Sequence, residues 1–215
     1  ARRHRVDVVA HVAQQVDDRD LLVLEVVRRC ALRQRDRERL DRFLDATEHD
    51  LLRRQAVERP DQPFLLHGTE AFTYRQLDRL TDEVAWGLID RGIRPGDHLT
   101  IAIPNQPEFH LAWFGALKAG AAAVTINTLL KPDEMAWIIR NADSKLVLAT
   151  PALGETARAA GIPVLTELPR GTSKPLPTVS PDSVALLVYT SGTTGKPKGA
   201  CLTHANYVWD THAVV

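Results

Sequence analysis

No stretch of apolar residues in this sequence approaches the ~20 that a helix needs to cross a bilayer. The longest candidate, residues 112–126, is interrupted by Gly115, Lys118 and Gly120, so a membrane-spanning helix is excluded. An excess of one charge is missing too, with Lys and Arg together at 27 and Asp and Glu together at 27. That balance removes the electrostatic reason to expect nucleic acid or an anionic membrane surface as a partner. Cysteine is scarce. Cys30 and Cys201 stand far apart and fit neither a metal-ligand spacing nor a disulfide framework, as suits two reduced thiols in a cytoplasmic protein. The opening Ala1-Arg2-Arg3-His4-Arg5 is basic, but no apolar stretch with a small-residue cleavage site follows it, so no secretory signal is read.

What is present divides in two. Residues 1–42 contain no Gly, Pro, Lys, Ser, Thr, Asn, Ile or aromatic residue, and are written mainly in Arg, Asp, Val and Leu. Such bias is compositional. A helical extension, a poorly ordered tail and a segment foreign to the domain all remain open, and this stretch is assigned no role. Residues 43–215 have ordinary globular composition and enough length for one sizeable core. The chain opens without Met and stops at Val215 inside a predicted helix, so a fragment at both ends is expected.

From Phe43 a regular rhythm begins. Phe43, Leu44, Leu51, Leu52 and Val57 predict a helix ending before Pro60. Phe64-Leu65-Leu66 and Ala71-Phe72-Thr73-Tyr74, joined at His67-Gly68, predict a hairpin. Thr73 with Gln76 forms a capping-box pattern for the next helix, whose apolar face is Leu77, Leu80, Val84 and Leu88 and whose stop is Gly92. A strand follows over 98–103. Pro107 opens a helix stopped by Gly120, and 121–126 is a strand. A helix from Pro132 and a strand over 145–149 come next. Pro169, Pro175, Pro177 and Pro181 mark a surface loop, and 184–189 is an uninterrupted apolar strand of the kind buried on both faces. This alternation predicts an α/β fold, a largely parallel sheet layered with helices.

At the end of that last strand stands Thr190-Ser191-Gly192-Thr193-Thr194-Gly195-Lys196-Pro197-Lys198-Gly199. Its chemistry is anion capture. Gly192, Gly195 and Gly199 let main-chain N–H groups approach a ligand, the hydroxyls of Thr190, Ser191, Thr193 and Thr194 are neutral donors, and Lys196 and Lys198 supply positive charge. The carboxyl end of a parallel strand is also where open α/β sheets bind ligands. A Walker A loop is excluded. Only Thr193 and Thr194 separate Gly192 from Gly195, and Pro197 stands where that loop needs a Ser or Thr for magnesium.

The motif resembles the signature of the adenylate-forming (AMP-binding) superfamily: acyl-CoA synthetases, luciferases and the adenylation domains of peptide synthetases. Upstream blocks extend the resemblance over 43–215, namely Phe72–Leu77, Gly92–Asp97, Pro104–Phe109 and Ala116–Ala121, each also readable as scaffold. Asn127–Lys131 resembles the asparagine-led turn of fatty-acid and related CoA ligases. The resemblance implies the N-terminal part of that fold. It also implies a reaction in which a carboxylic acid and ATP form acyl-adenylate and pyrophosphate, after which the thiol of coenzyme A displaces AMP, with Mg²⁺ accompanying the nucleotide. Carried over by position, Thr190, Ser191, Gly192, Thr193, Thr194, Gly195, Lys198 and Gly199 form the phosphate-binding loop. Lys196 lies at a position that varies among relatives.

Several residues carry a plainer reading. His204 could approach the nucleotide, but packing or capping is the simpler role. Trp86, Trp113, Trp137 and Trp209 are read as core. Asp82–Glu83 and Asp133–Glu134 are read as solvated charges. The family's later elements, its second nucleotide motif, ribose-binding aspartate and C-terminal lysine domain, do not appear. No catalytic set is therefore complete in this chain. The alternatives to a CoA ligase are a truncated, non-catalytic chain or interaction module, and an adenylation domain that loads a carrier protein.

Overall fold

A computed structural model describes residues 46–190 and 197–213, with side chains described as far as Thr211. Residues 1–42, Phe43, Leu44, Cys30 and the motif residues Ser191, Gly192, Thr193, Thr194, Gly195 and Lys196 lie outside the described residues.

The first described helix, α1 (Glu48–Glu58), begins where Thr47 and Asp50 cap each other: Thr47 N–H donates to Asp50 Oδ2 at 3.1 Å and Asp50 N–H to Thr47 Oγ1 at 3.3 Å. The hairpin β1 (Pro63–His67) and β2 (Glu70–Thr73) is antiparallel, as the sequence predicts. The same reciprocal capping joins Thr73 and Gln76 and starts α2 (Tyr74–Asp90), whose Leu77, Val84 and Leu88 are buried.

The main sheet is built from β3 (His98–Ala102), β4 (Ala122–Thr125), β5 (Ser144–Ala149), β6 (Val164–Leu165), β7 (Val184–Thr190) and β8 (Lys198–Thr203), in the order β6-β5-β3-β4-β7-β8. Every neighbouring pair is parallel except β7–β8. Helix α3 (Pro107–Lys118) ends as expected at Gly120, whose φ of 78° is costly for any residue with a Cβ. With α1 and α2, α3 covers one face of the sheet, over Leu99, Ile101 and Leu186. Helices α4 (Pro132–Asn141) and α5 (Pro151–Arg158) cover the other face, over Val124, Val147 and Leu187. The last described helix is α6 (His204–Ala213), whose Val208 packs on Ala46 and Leu51. The prediction of a mostly parallel, helix-layered α/β fold is therefore borne out.

Three elements differ from expectation. α5 and β6 are real where the sequence reading had nothing, and β8 occupies residues read as loop and helix approach. The proline-rich stretch is a surface segment, but a fastened one. Gly171 N–H donates to Glu83 O at 2.9 Å and Trp86 Nε1–H to Lys174 O at 2.9 Å. Arg170 pairs with Glu83, and Lys174 with Asp90.

Asp82 is not a solvated charge. Lys118, with a fully buried side chain, donates to Asp82 Oδ1 at 2.6 Å, Asp78 Oδ1 at 2.5 Å and Asp78 O at 2.8 Å. Arg53 meets Asp82 from α1 at 3.0 Å. Glu83 pairs with Arg79 and Arg170, and Glu134 accepts Lys131 N–H at 3.0 Å as a cap.

Candidate functional site

Along β7 the side chains run from core to surface. Ala185, Leu186 and Leu187 are buried, Val188 and Tyr189 half-buried, and Thr190 exposed. The chain returns through β8 antiparallel to β7, with Thr190 opposite Lys198 and Tyr189 opposite Gly199. The two ends of the glycine-rich motif therefore sit side by side, about one interstrand spacing (~5 Å) apart. Of the predicted site residues the structure places Thr190, Lys198 and Gly199. It puts Lys198 and Gly199 on a strand, where the sequence reading had them in the loop.

Alternation along the strands sorts the side chains by face. Thr190 and Lys198 share the face of Leu186, Val188 and Leu202, which pack in the α1–α3 cluster together with Tyr207. Tyr189 and Gly199 share the opposite face with Leu187, over α4. An exposed hydroxyl and an exposed ammonium thus leave the mouth of the motif on one side, at the carboxyl end of the parallel strands. The next strand inward, β4, pairs Thr125 with Val188 and runs into the Asn127 turn, so that turn lies beside the same mouth. There Asn127 Oδ1 accepts Leu129 N–H at 2.9 Å, and Leu129 is 89% exposed.

Helix α6 starts directly after β8, and Thr203 caps it as expected. Thr203 Oγ1 accepts Asn206 N–H at 3.1 Å, and Thr203 N–H donates to Asn206 Oδ1 at 3.2 Å. His204 is buried against α1, the packing role the sequence favours. Its Nδ1 lies 3.0 Å from Glu48 Oε2 with both residues buried, and its ring meets the edge of His49 at 5.6 Å. Burial raises the Glu48 carboxyl above its usual range, against the opposing bond from His204. Burial also lowers His49 to about 4, and raises the Tyr207 phenol.

The tryptophans divide. Trp113 is buried between Phe109 and Tyr207, and Trp137 packs edge-on to Tyr189. Trp86 is half-buried, and Trp209 is 59% exposed, which corrects its assignment to the core. Sequence reasoning passed over Tyr189. The available signal was its place immediately before the motif, which puts it opposite Gly199 once the motif is read as the tip of a hairpin.

The described donors at the mouth are the Thr190 hydroxyl and the Lys198 ammonium, which fit phosphate oxygens and do not make a carboxylate-rich site for a bare divalent cation. Among the described residues no group of three or more His, Cys, Asp or Glu could hold a metal ion, and no described helix is long and apolar enough to cross a membrane.

Residues 52–215 match the family model described as AMP-binding enzyme. A feruloyl-CoA synthase from Amycolatopsis sp is 36% identical over 163 residues, which are 73% of this chain and 33% of that protein. The nonribosomal peptide synthetase ungA' of Aspergillus campestris is 30% identical over 167 residues, 74% of this chain and 2% of that protein. Among solved structures, the anthranilate CoA ligase AuaEII in complex with anthranoyl-AMP superposes with a TM-score of 0.68 at 26% identity, covering 75% of this chain and 34% of its own. The chain thus spans about a third of the length of the CoA-forming relatives it matches.

Proposed function

The chain belongs to the AMP-binding enzyme family, and from that membership we propose that it is the phosphate-binding part of a cytoplasmic ligase. That ligase activates a carboxylic acid with ATP and transfers the acyl group to coenzyme A. The observation that carries the reading is the pairing of Thr190 with Lys198 at the mouth of the parallel sheet, with the rest of the motif strung between them. In the first step a carboxylate oxygen bonds to the α-phosphorus while the bond from that phosphorus to the pyrophosphate oxygen breaks. Negative charge passes to pyrophosphate. The motif's task is to hold the β- and γ-phosphates through donors already in place, which favours the transition state in which that charge develops. Thr190 and Lys198 supply the two ends of this cradle, and Ser191, Gly192, Thr193, Thr194, Gly195 and Lys196 supply its span. Mg²⁺ travels with the nucleotide.

The acceptor is coenzyme A on the strength of the Asn127–Lys131 turn and of the CoA-forming relatives. The peptide-synthetase relative supports a second reading, in which the acyl group is passed to a carrier-protein thiol. Neither reading gives these 215 residues turnover of their own. They span about a third of the length of the CoA-ligase relatives.

The test is carboxylate-dependent exchange of labelled pyrophosphate into ATP, with a panel of fatty acids, ferulate and anthranilate. The chain alone and the longer protein that carries it are compared. Exchange is expected from the longer protein with at least one acid, and none from the chain. Failure with every acid sinks the reading. In the longer protein Lys198→Ala is expected to slow adenylation about 10²-fold, the order found when one charge-stabilising donor is removed. An unchanged rate removes Lys198 from the cradle.

A further inference from the structure

The face of the β7–β8 pair opposite Thr190 and Lys198 carries a different arrangement. Gly199 lies directly across from Tyr189, and a Cβ placed on it would come 3.0 Å from Tyr189 Cζ and 3.3 Å from Cε2 and Oη. The ring therefore lies flat over the bare glycine. An aromatic side chain covering a cross-strand glycine ties two strands together at a point with no side chain of its own. The ring is itself held. Its hydroxyl donates to Asn141 Oδ1 at 2.8 Å, and Trp137 meets it edge-on at 6.3 Å, both residues belonging to α4. Burial first, and the Cys201 thiol second, push the phenol above its ordinary value, so it remains a proton donor.

We propose that Tyr189, held by Asn141, is the positioning residue that fixes the root of the 190–199 motif. The ring clamps the first residue past Lys198 to the last residue before Thr190, and α4 holds the clamp against the rigid part of the sheet. The spacing and direction of Thr190 and Lys198 are thereby set before any ligand arrives, so less ordering is left for binding. The clamp itself follows from contacts between described residues. Only its bearing on nucleotide rests on the function proposed above.

Two readouts on the chain separate these parts. Trypsin cuts after Lys198, and the rate of that cut under native conditions reports how often the β7–β8 root opens. Tyr189→Phe and Asn141→Ala each remove the same hydrogen bond. Each is expected to speed the cut roughly two- to tenfold, while the double variant is no faster than the single ones. Gly199→Ala, which pushes the ring off, is expected to exceed both. Binding of magnesium ATP, followed by calorimetry, is expected to weaken in the same order. Cleavage unchanged in both single variants overturns the proposal. So do additive effects, or acceleration that only tracks a falling melting temperature. If the wild-type chain binds no magnesium ATP, the pyrophosphate-exchange test above decides the phosphate reading of the motif, and the cleavage rates still decide the clamp.

Discussion

A lysine with no exposed side-chain surface is rare unless it is paired. At position 118 the pairing is complete, with two carboxylates and a main-chain carbonyl receiving the three ammonium protons. Asp78 and Asp82 come from α2 and Lys118 from the end of α3, while Arg53 adds α1 to the same knot. Removing one partner of a buried pair leaves the other uncompensated, at about 3–5 kcal/mol. Here Asp78 and Asp82 keep some solvent contact and Arg53 remains, so Lys118→Ala is expected near the low end, about 3 kcal/mol. Chemical denaturation would read this, and a loss within ~0.5 kcal/mol of zero would contradict it. The sequence could not have shown the knot, because Asp82 beside Glu83 looks like any solvated helix surface until α3 lies against it.

At the scale of elements, signals that are local chemistry were legible. The Thr73–Gln76 cap, Pro107 at a helix start and Gly120 at a helix end each act within a turn of backbone, and each stands where it was read. What escaped was set by partners far along the chain. β6 has two paired residues and exists because β5 offers it an edge, and β8 is polar and glycine-containing yet is a strand because β7 pairs with it. α5 did carry a signal, Pro151 at its first position after Thr150, without an apolar stripe to confirm it. For the candidate site the sequence supplied the motif and its anion chemistry, while the hairpin register and the place of Tyr189 needed the fold. The segment fastened to α2 is likewise tertiary. Gly171 approaches so closely that a Cβ there would meet Gly87 N and Trp86 C, each at 2.5 Å. Gly171→Ala must lift this segment off the helix. It is expected to cost about 1–3 kcal/mol, as other overpacking does, with Gly87→Ala, whose Cβ would meet Pro169 C at 2.6 Å, adding little to it because both clashes lift the same segment. Matching denaturation midpoints for the two single variants and their double would check this.

For the whole molecule, the junction of α1 with α6 makes stability sensitive to acid. His49 is held at about 4 when folded and returns to about 6.5 when unfolded. Between those values the unfolded chain binds the extra proton, so stability rises with pH. The full contribution is present above about 6.5 and is lost as pH falls toward 4, at most about 3 kcal/mol. Glu48 works the other way, since burial raises its folded value and lets the native state hold a proton at a pH where the unfolded chain has lost it. The comparison that isolates the histidine is therefore His49→Gln against wild type. The variant is expected to lose less stability between pH 7 and pH 4.5, and parallel curves would refute this.

The antiparallel return of β8 also bears on the order of assembly. Thr190 and Lys198 meet across a short connection, whereas β7 joins β4 only after roughly sixty residues of intervening chain. Closing the longer loop costs about 2 kcal/mol more in chain entropy. The hairpin is thus the cheap contact and its docking the expensive one. In kinetic terms the motif's two ends are expected to find each other early, as a local event, and the parallel sheet then receives them as a finished unit.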